Sequence, residues 1–501
     1  MKKTFVIHPF LLAVSPILFL FAHNIYEVSF SEILLPISIV LIFTTLSLLL
    51  LKLILKDSKK AGFGLSIFLI LFFSFGYIRD AVSGLTIGNI LIGRQRYLLL
   101  IWCILIGVSS YFIVRMRKDL RNLTNFLNIT TISFVAISII IIGLYEIRKI
   151  GAVQIDNEVS ENIQINTKDL RNLPARDIYY IILDSYTNSS TLKDTYKYDN
   201  YEFTDYLTKK GFYVGFKSRS NYPITVLSLA SSLNMEYVNY LSDSLGIESR
   251  DLTILNEMRA NSKVMKFLKS KGYKFINIAT YNNKYADISL KRPTVWSEFN
   301  TMLVNTTMLL PFTQVDQFRD DTLFSFSKLA EAPSIEGPKF VFAHILCPHP
   351  PFVFGANGET TQAFIGNFML NEARKQAYVN QLIFVSKKTK VIIDDILSKS
   401  KIPPVIILQA DHGMRLSDLS WNVQSPNDEL IRENFGILNA YYLPPDGNKL
   451  LYDSISPVNS FRLIFNYYFN TDYKLLDDLS YYTTGYRELY KLTDVTDRIK
   501  Y

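Results

Sequence analysis

The sequence predicts a two-part protein: a bundle of five membrane helices, then an external domain with helices on both faces of a mainly parallel sheet. Three observations predict it. Long uncharged apolar runs crowd roughly the first 150 residues. Short, nearly continuous apolar runs alternate with helix-like stretches in the remainder. All three histidines of that second part, with Asp184 and Asp411, fall at or just beyond the ends of its apolar runs.

The long runs are residues 4–22, 33–51, 61–78, 97–114 and 129–145, and none contains Asp, Glu, Lys or Arg. Each approaches the ~20 residues that a helix needs to cross ~30 Å of hydrocarbon. The uncharged stretch 81–93 is too short for that and reads as an interfacial or re-entrant loop.

Basic residues set the expected orientation. Lys2 and Lys3 precede the first run, Lys52, Lys56, Lys59 and Lys60 follow the second, and Arg115, Arg117, Lys118 and Arg121 follow the fourth. The connection 24–32 has no Lys or Arg, whereas Arg79, Arg94 and Arg96 blur the third. The positive-inside rule then gives a multi-pass protein of the cell membrane, its N-terminus cytoplasmic and its C-terminal part outside. The first run lacks the small-residue cleavage site of a signal peptide.

The expected organisation is an anchor over residues 1–149, a polar linker over 150–176 and an external domain over 177–501. In that domain "IYYIIL" (178–183), "GYKFINIAT" (272–280), "KFVFAHIL" (339–346), "VIILQAD" (405–411) and "NFGILNAYYL" (434–443) read as strands buried on both faces. Helix-like stretches at 199–210, 262–270, 370–399 and 457–469 lie between them. Such alternation indicates an α/β domain, whose ligands bind beyond the carboxyl ends of its parallel strands.

That rule picks out particular side chains. Asp184 closes the first strand, His344 and His349 lie at and just after the end of a middle one, and Asp411 with His412 closes another. Two carboxylates and an imidazole suit one divalent metal: manganese, zinc or magnesium. Such an ion lowers the pKa of a bound hydroxyl and neutralises charge on a phosphoryl or sulfuryl group. Hydroxyls abound in "SRSNYPITVLSLASSLN" (218–234), which reads as a loop entering a helix whose N-terminus favours anions.

In this order, "DIYYIILDSY", "SNYPITVLSLASSLN", "FAHILCPHPPFVF" and "QADHG" resemble the sulfatase-like branch of the alkaline phosphatase superfamily. With five helices ahead of them, they are similar to the lipoteichoic acid synthases and the lipid A phosphoethanolamine transferases. The likeness spans residues 176 to 445. It implies an alkaline-phosphatase-like α/β/α domain in which Asp184, Thr225, Asp411 and His412 hold the metal and Thr225 is the nucleophile. It also implies that His349 holds substrate or protonates a leaving group, with His344 and Arg415 contacting substrate. The implied activity moves a phosphoglycerol or phosphoethanolamine group from a lipid donor to an envelope glycan or lipid through a threonine intermediate.

Two departures narrow this. No C/S-x-P-x-R setting surrounds Thr225 or Cys347, which disfavours sulfate-ester hydrolysis. No histidine follows His412, so one main metal is expected, with Arg415, or less strongly Arg219 and Arg432, holding phosphate. Ser220 and Ser228 compete with Thr225 as nucleophile. Against each stands a plainer reading: a turn at 411–413, a helix cap at Thr225, a packed loop histidine at His349. A hydrolase of the same fold, or an inactive domain that binds an envelope glycan or partner, is the alternative. The net charge of +8 lies partly in the basic loops, and no nucleic-acid partner is expected. The two cysteines, Cys103 and Cys347, imply no disulfide framework.

Overall fold

A computed structural model describes residues 5–25, 28, 30–82, 86–87, 90–91, 95–159, 174–293, 297–310, 317–364, 371–416 and 423–500. The chain divides into two compact units, Met1–Glu161 with Thr294–Val315, and Asn162–Pro293 with Asp316–Tyr501.

In the first unit the five apolar runs become α1 (His8–His23), α2 (Ser31–Leu55), α3 (Ser58–Val82), α4 (Gln95–Arg115) and α5 (Arg121–Val159). Four of them, α2 to α5, are long and apolar enough to cross a membrane. Helix α1, with 16 residues, is about 24 Å long at 1.5 Å per residue, shorter than the ~30 Å hydrocarbon core. The start of α1 is tied by Asn128 of α5, whose Oδ1 accepts from His8 N at 3.0 Å and whose Nδ2 donates to Phe5 O at 2.8 Å.

Two stretches that the sequence reads as linker and loop carry secondary structure here. Helix α5 runs on to Val159, through the first part of the expected linker, and residues 160–173 lie outside the described residues. The stretch 81–93 holds a short antiparallel strand pair, Thr86–Ile87 against Ile90–Leu91, with its other residues beyond Val82 outside the described ones.

The second unit is organised by a seven-stranded sheet. Its strands are β1 (Ile178–Leu183), β2 (Tyr213–Val214), β3 (Lys274–Ile278), β4 (Ile288–Leu290), β5 (Lys339–Ile345), β6 (Val405–Gln409) and β7 (Asn439–Tyr442). The spatial order is β2-β7-β6-β1-β5-β3-β4. Strands β6, β1, β5, β3 and β4 are parallel, and β7 and β2 join antiparallel at one edge. The sheet is thus mixed and mainly parallel, as expected, but the 434–443 run enters it in the opposite sense.

Burial follows the two-residue strand period. From β1, Tyr179, Ile181 and Leu183 join one apolar cluster, while Ile178, Tyr180 and Ile182 join another on the opposite face. A strand buried on both sides needs apolar residues at every position, which is why these runs are continuous in the sequence. The helices of this unit include α6 (Thr225–Asn234), α8 (Gln317–Glu331), α9 (Asn371–Lys399), α10 (Asp428–Phe435) and α11 (Pro457–Phe469); α7 (Glu298–Asn305) belongs to the first unit.

Candidate metal centre

Strands β6 and β1 are parallel neighbours, with Gln409 level with Ile182. Their carboxyl ends therefore deliver Asp411 and Asp184 side by side. Asp184, His412 and Asp411 each offer a ligand atom, all within 4.8 Å of one another. His412 Nε2 lies 3.8 Å from Asp184 Oδ1 and 3.5 Å from Asp411 Oδ2. Thr225, the first residue of α6, brings its Oγ1 to 3.2 Å from the same Nε2.

The orientation of His412 is fixed from behind. Its Nδ1 donates to Gly413 O at 2.9 Å, which leaves the Nε2 lone pair aimed at two carboxylates. A backbone carbonyl in this position is the usual outer partner of a metal-ligating histidine. Asp411 is 1% exposed. Its Oδ1 accepts from His412 N at 3.0 Å and Ser185 N at 3.2 Å, but its Oδ2 is buried with no hydrogen bond. A buried carboxylate oxygen facing an imidazole lone pair is satisfied by a proton or by a cation between them. Two carboxylates, an imidazole and a hydroxyl fit a divalent metal.

The charges respond to this crowding. Burial opposes the charged form of Asp184, yet His349, then His344 and His412, hold its carboxyl well below the usual range. Burial also opposes protonation of His412, but the charges of Asp411 and Asp184, with the Gly413 carbonyl, outweigh it and raise that imidazole above its ordinary value.

Three supporting features lie outside the sequence reading. Ser185 holds a left-handed backbone at φ 63°. Its N–H reaches Asp411 and its Oγ donates to Asp184 Oδ1 at 2.9 Å, so one residue ties both acids together. That conformation costs about 1–3 kcal/mol in a non-glycine residue and persists only where surroundings enforce it. Tyr378 of α9 helps to do so: its hydroxyl donates to Ser185 O at 2.9 Å and accepts from Thr187 N at 3.1 Å. Gln381, fully buried on α9, accepts from Val353 N and Phe354 N. Its Nε2 donates to Pro348 O and His349 O at 3.2 and 3.0 Å, which pins the loop carrying His349.

The glycine of the Asp-His-Gly run is required by space. Gly413 N donates to Asn434 O at 2.8 Å, and a Cβ there would stand 2.0 Å from Glu433 O.

The other residues singled out in the sequence have the following partners. His344 is buried, with Nε2 3.2 Å from Asp184 Oδ2, so it braces the acid behind the site. His349 N donates to Asp184 O at 3.1 Å, and its half-buried ring donates from Nδ1 to Pro350 O at 2.7 Å. Ser228 spends its hydroxyl on Asp411 O at 2.6 Å, which anchors α6 to the end of β6. Ser220 Oγ is buried and makes no hydrogen bond. Arg219 donates to Thr496 O and Asp478 O, and Arg432 pairs with Asp194 at 3.1 Å, so both are committed elsewhere. Arg415 is half-buried two residues beyond Gly413.

No family model and no curated protein matches the chain. Its structural neighbours are phosphoethanolamine transferases and sulfatases. The C-terminal periplasmic domain of EcEptC from Escherichia coli, in complex with Zn, is 14% identical at a TM-score of 0.42, covering 62% of this chain and 86% of that one. The integral membrane lipooligosaccharide phosphoethanolamine transferase A (EptA) from Neisseria meningitidis is 10% identical at a TM-score of 0.39, covering 97% and 98%. BT1596, a 2-O GAG sulfatase, is 10% identical at a TM-score of 0.38, covering 60% and 72%. At these identities and TM-scores, residue roles rest on this chain's own geometry.

Proposed function

We propose that this chain is a membrane-anchored, metal-dependent phosphotransferase. It moves a phosphoglycerol- or phosphoethanolamine-type group from a lipid donor to an envelope glycan or lipid. The observation that carries the reading is the convergence of Asp184 Oδ1, Asp411 Oδ2, His412 Nε2 and Thr225 Oγ1 at the ends of β1 and β6 and the start of α6. A divalent ion, when bound, would neutralise phosphoryl charge and favour the Thr225 alkoxide.

The chain's own residues supply the rest. The first turn of α6 has free N–H groups, and these with the helix dipole favour a phosphodiester. Thr225 Oγ attacks phosphorus; the Oγ–P bond forms as the P–O bond to the lipid alcohol breaks. His349 gives the leaving oxygen a proton. In the second half it takes a proton from the acceptor hydroxyl, whose oxygen displaces Thr225 from phosphorus. Its Nδ1 bond to Pro350 O leaves Nε2 as the atom for both transfers. Arg415 is the cation assigned to phosphate.

The membrane arrangement in this reading is five crossings, an N-terminus in the cytoplasm and the catalytic unit outside. The basic loops support it. So does the segment around α7, which meets the C-terminal half of α3 and the Phe21 end of α1. These are ends that the charge rule places opposite the N-terminus.

The test is a trap. The full chain in detergent, loaded with zinc or manganese, is mixed with phosphatidylglycerol or phosphatidylethanolamine, quenched in acid and digested. An adduct on Thr225 whose mass names the group, absent from Thr225→Ala, is expected. Metal-loaded wild type that gives no adduct with either lipid would sink the transfer reading.

A further inference from the structure

The first unit contains an apolar groove of about 440 Å³ between α2, α3 and the segment around α7. Its origin is local. Ser297 caps α7 by accepting from Asn300 N at 3.2 Å, and Phe299, fully buried, stacks edge-on against Phe21 at 6.5 Å. After the helix the chain is stitched to α3: Gly76 N donates to Thr306 O at 2.9 Å, and Phe72 O accepts from Met308 N at 3.0 Å. Only glycine permits this, because a Cβ on residue 76 would lie 2.0 Å from Asn305 O.

The groove left beside this seam has a floor of Leu69, Phe73 and Leu303, each under 9% exposed. Its outer wall is Leu35, Ile39 and Phe43, all large and exposed. Those wall residues sit on α2, one of the helices apolar and long enough to cross a membrane. The groove is therefore continuous with a surface whose solvent is hydrocarbon. Its volume lies within the ~300–1,000 Å³ range of ligand sites. Thr307, one of its polar lining residues, already donates to Val304 O at 2.8 Å and accepts from Leu309 N, so it asks for no polar partner.

We infer that the groove seats one acyl chain of a bilayer phospholipid, held between α2, α3 and the α7 segment. Bilayer lipid chains are the apolar species in contact with the outer wall, and the lining matches a methylene chain rather than a headgroup. The inference rests on the membrane reading of the first unit and not on the metal centre.

The test uses the full chain in phosphatidylcholine nanodiscs doped with a phosphatidylglycerol carrying a diazirine in its acyl chain. Photo-adducts concentrated on peptides from 35–43, 68–73 and 300–309 are expected. In Val304→Trp, whose indole fills the groove, these adducts should fall by roughly tenfold while adducts on lipid-facing α5 stay constant. Should that variant fail to fold, Val40→Trp fills the groove from its opposite side. Adducts spread over α2 to α5 in proportion to exposure, or groove adducts undiminished in the folded tryptophan variant, would overturn the inference. Thr225→Ala should label like wild type, so this experiment succeeds or fails separately from the transferase reading.

Discussion

The third residue of the Asp-His-Gly run gives the sharpest test of how the centre is held. Replacing Gly413 with alanine puts a methyl carbon 2.0 Å from Glu433 O and 2.8 Å from Gly436 O. Neither is a flexible side chain; both are backbone atoms at the end of α10. Relief needs at least about 1 Å of movement between two closely packed backbone segments, a small-to-large change that costs typically ~1–3 kcal/mol. The shift also reaches the candidate metal centre, because Gly413 O orients the His412 imidazole and Gly413 N bonds Asn434 O. Loss of such an outer partner lowers metal affinity by roughly 10–100-fold. Zinc titration calorimetry on the metal-stripped full chain reads this directly, with thermal unfolding alongside. Affinity equal to wild type in a Gly413→Ala protein would refute the claim that close backbone packing aims His412.

Other outcomes follow from the same geometry. Asp411→Asn keeps the two N–H bonds to Oδ1 but removes the charge facing His412, so metal content by plasma mass spectrometry should fall at least roughly tenfold. Protons compete with the metal at His412, whose pKa is raised in the metal-free protein. Zinc affinity should therefore weaken as pH falls through that raised value, with about one proton released per ion bound, measurable as buffer-dependent binding heat. Metal-free stability carries two opposite signs. The raised His412 contributes below its unfolded value near ~6.5 and loses that contribution as pH rises through its folded value; the depressed Asp184 contributes above ~3.9 and loses it in stronger acid. The melting temperature of the metal-free protein should thus decline from about pH 6 toward alkali, and metal should abolish the decline. Gln381→Leu strands the N–H groups of Val353 and Phe354, at ~1–3 kcal/mol for each buried orphan. It should lower turnover through His349 while leaving zinc affinity near wild type, and a matching loss of zinc would contradict the assignment.

What the sequence made legible is what local rules control. Residues 178–183 were readable to the residue as a strand because burial on both faces demands an unbroken apolar run. Asp184, Asp411 and His412 were readable as a group because parallel neighbours end at one sheet edge. What stayed hidden depends on partners distant in the chain. Gln381 sits in a helix that reads as an ordinary amphipathic surface element, and only the fold shows it buried against the His349 loop. Ser185 looks like a common residue after an acid; its left-handed backbone is imposed by Tyr378, nearly 200 positions later. Arg219 and Arg432 looked available for phosphate because their carbonyl and carboxylate partners lie far along the chain. The α7 segment, polar at its start and short, gave no sign that Phe299 and Asn305 pack against α1 and α3.

The plainer reading of residues 411–413, a turn with a solvated acid, makes a physical demand that the fold does not meet. A solvated aspartate keeps its oxygens in water, and desolvating one without a partner costs several kcal/mol. Asp411 is 1% exposed, with one oxygen tied by two N–H groups and the other facing the imidazole of His412 across 3.5 Å. The hydroxyl of Ser228 clamps its carbonyl, and Ser185 is held in a costly conformation to reach it. A turn needs none of this reinforcement. The arrangement is understandable if the acid must be rigid, dehydrated and only half satisfied by the protein, leaving the other half of its charge for a cation. The discriminating comparison is Asp411→Asn against Asp411→Leu in the metal-free protein. If a cation is the missing partner, asparagine should raise metal-free stability at a pH above the raised value of His412, where the neutral imidazole no longer pairs with the buried charge, while abolishing metal uptake. Leucine should destabilise, because it strands the N–H groups of Ser185 and His412. Asparagine no more stable than wild type without metal at that alkaline pH would return residues 411–413 to the status of a turn.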